Sequence, residues 1–160
     1  MIRIGFGTDV HRLVAGRPLI LGGVEIEFEL GVDGHSDADV LMHAAADAVL
    51  GALALGDLGT HFPNDDEKWR NAESSQFLRY AVDLIKQKGY SIENIDAVID
   101  LEKPKLRPHI EAMRWNLASA LDITLDQVSI KAKTGERVDA VGEGRAVRAQ
   151  AIVLLNRKEI

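Results

Sequence analysis

The sequence predicts a mixed α/β domain of the α+β kind, with one mixed sheet of four to five strands and its helices on a single face. Three observations predict it. Strand-like apolar stretches and runs of helical period follow one another in the order ββααβαββ. At 160 residues and 46% apolar content the chain matches one domain with a conventional core, and no repeat, low-complexity tract or linker divides residues 1–160. The last strand carries Ala146, Ala149, Ala151, Val153 and Leu155 around Arg148 and Gln150. Its apolar content on both sides calls for a partner over the uncovered sheet face, so a homo-oligomer is expected.

Residues 2–7 and 19–26 read as the first two strands, joined as a hairpin through the turn-forming Ala15-Gly16-Arg17-Pro18. Residues 37–55 are rich in Ala and Leu and read as a helix, with Ser36 or Asp37 placed to cap its start and Gly56 to end it. Residues 57–66 are polar and full of turn formers, and read as a loop. A second helix over 74–88 gathers Phe77, Leu78, Ala81, Val82 and Ile85 into one stripe and stops at Gly89. Residues 95–101 read as a strand, Pro108 opens a third helix to about Leu121, and 128–133 form another strand. A Gly-rich segment over 135–144 leads into the last strand, 146–155.

A net charge of -6 without a basic stripe argues against nucleic acid or an anionic membrane as the main partner. No cysteine is present, so any metal must be held by His and carboxylate. The longest apolar stretch, 41–55, is broken by His43 and Asp47, and no basic region with a long apolar run opens the chain. A soluble, cytoplasmic protein is expected.

Asp9 and His11 sit two apart in an extended segment, so both side chains point to one face. His43, within the first helix, can reach across to that face. One carboxylate and two imidazoles make a three-ligand site with an open position, as a catalytic Zn2+ uses. A lone helical His is more often a core residue; the nearby Asp-x-His pair reverses that reading. Asp39, His43 and Asp47 recur at four-residue steps and form one polar column. This makes Asp39 and Asp47 candidates to support the ligand from behind, with Asp47 on the imidazole's other nitrogen. An ordinary exposed helix acid is the competing reading of Asp47.

His35 and Ser36 precede the first helix, where free N–H groups favour an anion, although Ser36 alone reads equally as a cap. Asp57-Leu58-Gly59 and Phe62-Pro63-Asn64-Asp65-Asp66 are dense in hydrogen-bonding groups and fit either a polyol site or solvated turns. Pro104-Lys105-Leu106-Arg107-Pro108-His109 can present a rigid backbone to a ring and cations to phosphate, or be a plain turn. In Lys131-Ala132-Lys133-Thr134-Gly135-Glu136, Thr134 offers a hydroxyl to a phosphoryl oxygen and Glu136 a hard ligand to Mg2+ or Mn2+.

Taken together, Gly7-Thr8-Asp9-Val10-His11, Gly34-His35-Ser36-Asp37-Ala38-Asp39-Val40 with His43, Leu55-Gly56-Asp57-Leu58-Gly59, Pro104 to His109 and Lys131 to Glu136 resemble one family. It is the 2-C-methyl-D-erythritol 2,4-cyclodiphosphate synthases of the non-mevalonate isoprenoid pathway. The resemblance runs nearly end to end, in order. It implies a phosphorus-oxygen lyase that closes 4-diphosphocytidyl-2-C-methyl-D-erythritol 2-phosphate into the cyclic diphosphate and releases CMP. It also implies a homotrimer with sheets packed around its axis, and an active site at each subunit boundary. By the same resemblance Asp9, His11 and His43 hold Zn2+, and Mg2+ or Mn2+ binds near Glu136. His35 and Thr134 stabilise the transition state, Asp57 and Gly59 grip the erythritol, and the segment with Leu101, Lys103, Pro104, Lys105, Leu106 and Arg107 holds the cytidine. Further substrate contacts are implied for Ser36, Leu58, Phe62, Pro63, Asn64, Asp65, Asp66, Lys133, Gly135 and Glu136, beside Asp9 and His11. A cytidylyltransferase is a candidate partner, and association with one is left open by the sequence.

Several positions depart from the family's commonest pattern. Lys133 and Gly135 flank Thr134 where threonines often run, and Asn64 replaces a frequent Asp. Ala140 and Glu143 stand where many members carry an aromatic residue and an Arg near the axis, which argues against an isoprenoid diphosphate there. Two other classes compete with a cyclase. A metal-dependent phosphoester hydrolase would use the same ligands with an activated water and release a linear product. A non-enzymatic oligomeric binding module could dispense with the metal set.

Overall fold

The computed structural model describes residues 1–63 and 67–157. Along the chain come β1 (Ile2–Ala15), β2 (Leu19–Leu21), β3 (Val24–Ile26), β4 (Leu30–Val32), α1 (Val40–Ala52), α2 (Leu58–His61) and α3 (Ser74–Gln87). Then follow β5 (Tyr90–Asp100), α4 (Ile110–Leu121), β6 (Val128–Lys133), α5 (Asp139–Gly142) and β7 (Ala146–Arg157). Five strands form one sheet in the order β4-β1-β7-β5-β6, while β2 and β3 pair separately. β5 and β6 run parallel, connected through α4, and the remaining neighbours are antiparallel. The expected mixed α/β sheet is therefore present.

The two faces of this sheet differ. On β1 the odd-numbered Gly5, Gly7 and Leu13 are buried beneath the helices, alternating with outward-facing even positions. Outward, Ile4, Phe6 and Ile152 are 68%, 59% and 51% exposed, and the register places Phe6 directly opposite Ile152 and Ile4 opposite Leu154. An apolar belt thus crosses the outer face of β1 and β7.

The buried face is unusually close to α1. Side chains on this helix are small where it meets β1, and a Cβ on Gly7 would stand 2.0 Å from the Ala44 carbonyl oxygen. Helix and strand backbones nearly touch, which brings His43 down to the level of Asp9.

Several expectations change in detail. β1 pairs with β7 and β4 rather than with residues 19–26, which instead fold on themselves into the small β2–β3 hairpin across Gly22-Gly23. Gly22 and Gly23 adopt φ of 57° and 69°, the left-handed pair that a two-residue hairpin turn needs. α1 starts at Val40, later than expected, because each polar residue before it bonds locally. Ser36 Oγ accepts from Ala38 N (3.1 Å), Asp37 Oδ1 accepts from Asp39 N (3.1 Å), and Ala38 has φ 57°. Asp39, not Ser36 or Asp37, is the helix cap, accepting from Leu41 N and Met42 N. The loop read over 57–66 contains the short α2, and the segment read as 135–144 contains α5. Asn64, Asp65 and Asp66 lie outside the described residues.

Candidate active site

Asp9 and His11 share the buried side of β1, two residues apart, and His43 faces them from the second turn of α1. Asp9 Oδ2 is 3.1 Å from His11 Nε2 and 3.0 Å from His43 Nδ1. One ligand atom from each residue falls within 4.8 Å of the others, and this is the one such group among the described residues. Zinc–ligand bonds of about 2.0–2.1 Å place tetrahedral ligand atoms about 3.3 Å apart, so three converging donors at this spacing fit a divalent metal. His11 Nδ1 lies 2.6 Å from the Asp33 carbonyl oxygen, which supports Nε2 as the inward-facing donor.

Burial raises the Asp9 carboxyl, but hydrogen bonds from His11 and His43 and their charges outweigh it and hold the group well below the usual carboxylate range. Donating this bond to Asp9 raises His11 above its ordinary value, against partial burial. The group is a carboxylate between two imidazoles, a donor set that could hold a metal ion once protons leave.

Behind the ligands the arrangement departs from the four-residue column. The outer nitrogen of His43, Nε2, meets Ser74 Oγ at 2.8 Å and Ser36 Oγ at 3.4 Å. Asp47 does not take that nitrogen. Its carboxylate accepts from Leu58 N at 2.8 Å and so ties α2 to α1, while burial raises its pKa. Asp39 lies further away, fully buried, accepting from Gly22 N (2.9 Å) and Gly23 N (2.7 Å) as well as capping its helix. Burial pushes its carboxyl up to about 6 despite the backbone N–H donors of Gly23, Gly22 and Met42. The column fails because Asp39 precedes the helix, so helical spacing does not govern its side chain.

A cavity of about 410 Å³ opens over Asp9, His11 and His43. His35, Ser36, Asp57, Leu58, Gly59, Phe62 and Pro63 line it together with Asp9, His11, His43 and Asp47. Asp57 Oδ1 accepts from the Thr60 hydroxyl at 2.8 Å and, as the cap of α2, from Thr60 N at 2.9 Å, and these bonds lower its pKa. The loop bearing His35 is pinned by Arg17, which donates to the carbonyls of Val32 (3.1 Å), Gly34 (3.1 Å) and Ser36 (2.9 Å). Trp69 and Phe77 complete the wall, and Phe62 packs on both, with ring centroids 4.9 and 4.6 Å away.

The segments containing Leu101 to Arg107 and Lys133 to Glu136 meet each other at the ends of parallel β5 and β6. Leu101 N donates to Lys133 O at 2.9 Å, and Gly135 N to Glu102 Oε2 at 3.0 Å. Thr134 Oγ1 donates to Glu136 Oε1 at 2.8 Å, and Glu136 and Arg137 adopt left-handed φ of 49° and 62°. Neither segment lines the cavity around Asp9. β6 is three strands from β1, about 14 Å at ordinary strand spacing. Within one chain the sequence-assigned residues therefore form two separate groups.

The profile of the YgbB family matches residues 2–156. The chain is 57% identical over 150 residues to the 2-C-methyl-D-erythritol 2,4-cyclodiphosphate synthase of Salinibacter ruber, covering 94% of this chain and 96% of that one. The chain belongs to the YgbB family of 2-C-methyl-D-erythritol 2,4-cyclodiphosphate synthases. Solved structures agree. The bifunctional IspDF of Campylobacter jejuni superposes with a TM-score of 0.95 at 37% identity, covering 99% of this chain and 43% of that one. The Plasmodium falciparum IspF CDP complex gives 0.88 at 37% identity, covering 99% and 97%.

Four groups that shape this site carry no such role in the sequence reading. Ser74 reads only as a helix start, Asp37 as a possible cap and a member of the family-like Gly34 to Val40 run, and Trp69 and the Asp33 carbonyl carry no role there. Trp69 lies next to polar turn residues, and a backbone carbonyl has no residue signature. A hydroxyl at a helix start reads as a cap, so nothing local distinguishes a Ser74 that turns inward.

Proposed function

We propose that this chain converts 4-diphosphocytidyl-2-C-methyl-D-erythritol 2-phosphate into 2-C-methyl-D-erythritol 2,4-cyclodiphosphate and CMP, as a phosphorus-oxygen lyase. The convergence of Asp9, His11 and His43 on one point of a cavity also lined by His35, Ser36 and Asp57 carries this reading. In the reaction an oxygen of the 2-phosphate bonds to the β-phosphorus, and the bond from that phosphorus to the CMP oxygen breaks. CMP departs with the electron pair. No protein nucleophile is required, so the chain's work is to fold the substrate on itself and to meet crowded negative charge with donors.

Asp9, His11 and His43 would hold Zn2+, and Glu136 would contribute to Mg2+ or Mn2+. When bound, such cations polarise phosphate oxygens and neutralise their charge. His35, at the cavity wall before α1, and the Thr134 hydroxyl donate toward the phosphoryl oxygens in the transition state. Asp57 and Gly59 orient the erythritol hydroxyls, with Leu58, Phe62 and Pro63 beside them. Leu101, Lys103, Pro104, Lys105, Leu106 and Arg107 enclose the cytidine. Because this last group and Thr134 stand apart from Asp9 within one chain, a homotrimer in which one subunit's cytidine group faces its neighbour's metal group joins them. The exposed belt of Ile4, Phe6 and Ile152 supports that packing. A cytidylyltransferase is the natural supplier of the substrate; the bifunctional Campylobacter jejuni relative supports a neighbouring activity. No helix among the described residues is long and apolar enough to cross a membrane, and use of a cytidine nucleotide supports a cytoplasmic setting.

Product identification tests the reading. Incubation with the cytidine diphospho substrate should give equimolar CMP and cyclic diphosphate, and His43→Ala should lose metal and activity together. A linear phosphate product would favour the phosphoester hydrolase, while full zinc content in His43→Ala would sink the ligand assignment.

A further inference from the structure

We propose that Asp37 and Ser74 act as a positioning pair that fixes the tautomer of His43, a role resting on the metal reading above. Ser74 is the first residue of α3 and fully buried. Its hydroxyl bonds Asp37 Oδ1, and its backbone N–H donates to Asp37 Oδ2 at 3.0 Å. The same Oγ is 2.8 Å from His43 Nε2. Asp37 is itself anchored, its N–H donating to the Ala72 carbonyl at 3.1 Å.

Proton counting gives the pair its direction. A carboxylate only accepts, and a hydroxyl has one proton. The Ser74 proton therefore goes to Asp37, leaving an Oγ lone pair aimed at His43. Nε2 must carry the hydrogen and donate to it. Nδ1, which without a metal donates to Asp9 Oδ2 at 3.0 Å, is then the nitrogen that gives up its proton and offers its lone pair to a metal on that side. Ser36 Oγ, at 3.4 Å and already accepting from Ala38 N, is a poorer substitute. The pair also joins the lead into α1 to the start of α3, whose Phe77 ring packs on His43 at 6.0 Å between centroids. The chain of contacts Asp37, Ser74, His43 holds the ring in place as well as setting its proton.

The test is nitrogen-15 NMR of the histidine-labelled, zinc-loaded protein together with chelator-competition affinities for Ser74→Ala and Asp37→Asn. Wild type should show His43 protonated at Nε2 and zinc-bound at Nδ1. Ser74→Ala should weaken zinc about tenfold to a hundredfold and shift the His43 nitrogen signals. Its cobalt-substituted visible spectrum should change while the metal-free melting curve stays cooperative. Asp37→Asn, which retains one acceptor for the hydroxyl, should weaken zinc less. Wild-type His43 protonated at Nδ1 overturns the proposal without any variant. Unchanged zinc affinity and unchanged His43 signals in Ser74→Ala overturn it as well. A wild-type chain that binds no zinc would instead remove the metal reading itself.

Discussion

Gly7 and Ala44 meet backbone to backbone: a Cβ on Gly7 would stand 2.0 Å from the Ala44 carbonyl oxygen and 2.7 Å from Ala48 N. Both neighbours are main-chain atoms of α1, which cannot swing aside as a side chain can. Gly7→Ala must therefore lift α1 from β1, and with it His43 from Asp9. The expected cost exceeds the roughly 1–3 kcal/mol of ordinary overpacking, and zinc affinity should fall with it. Urea unfolding and metal titration of the variant check both. A stable Gly7→Ala with wild-type zinc affinity would show that the helix can move without disturbing the site.

The dependence of the site on that contact also shows what was readable in advance. Asp9 and His11 were legible because strand alternation alone sends both to one face, and His43 because an imidazole inside an Ala-rich helix needs a reason. β6 was legible to the residue, 128–133, since its flanks change composition sharply. The β1 pairing was not, because a 14-residue strand crossing Asp9 and His11 looks interrupted by polar residues whose burial only the opposing helix explains. Asp39 misled for a related reason: it shares a four-residue spacing with His43 but lies before the helix. Ser74 and Asp37 come together only in the fold, 37 residues apart.

Arg17 ends in a fork that reaches three carbonyls, two of them, Gly34 and Ser36, on either side of His35. Lysine keeps the charge but not the planar set of donors. Arg17→Lys should loosen this loop, costing about 1–2 kcal/mol in stability from the lost bonds. The rate should fall more than zinc affinity, since His11 and His43 are held by other contacts. Thermal melts, zinc titration and steady-state kinetics on one preparation separate these effects. Loss of zinc in proportion to rate would place Arg17's influence on the ligands instead.

The Asp9–His11 pair gives the metal-free protein a defined pH response. His11 is raised above 6.5 in the folded chain, chiefly by the hydrogen bond it donates to Asp9. A raised folded pKa means that the folded state binds this proton more tightly. The resulting stability is fully present below 6.5 and is lost as pH rises through the folded value. Zinc needs the deprotonated ring, so proton competition should begin above 6.5 and weaken zinc as pH falls through that window. NMR titration of His11 in the metal-free protein should give a midpoint above 6.5, and Asp9→Asn should lower it. A His11 midpoint at or below 6.5 in the wild type would contradict the geometry.

The outer belt and the separated site residues make one joint prediction about assembly. Ile4, Phe6 and Ile152 are each more than half exposed on the single chain, and burying a large apolar side chain yields about 1.5–3 kcal/mol. Three such surfaces closing around an axis would bury them all, and would bring the Glu136 loop of one subunit to the Asp9 cavity of the next. Phe6→Glu should then give a chain that retains its zinc ligands but neither assembles nor turns over substrate, as light scattering and activity would show. Co-refolding His43→Ala with Glu136→Ala in equal amounts should restore activity in about one quarter of the sites, those pairing an intact ligand set with an intact Glu136 from a neighbour. Recovery near zero in confirmed mixed trimers would put Glu136 and His43 of one chain in the same site.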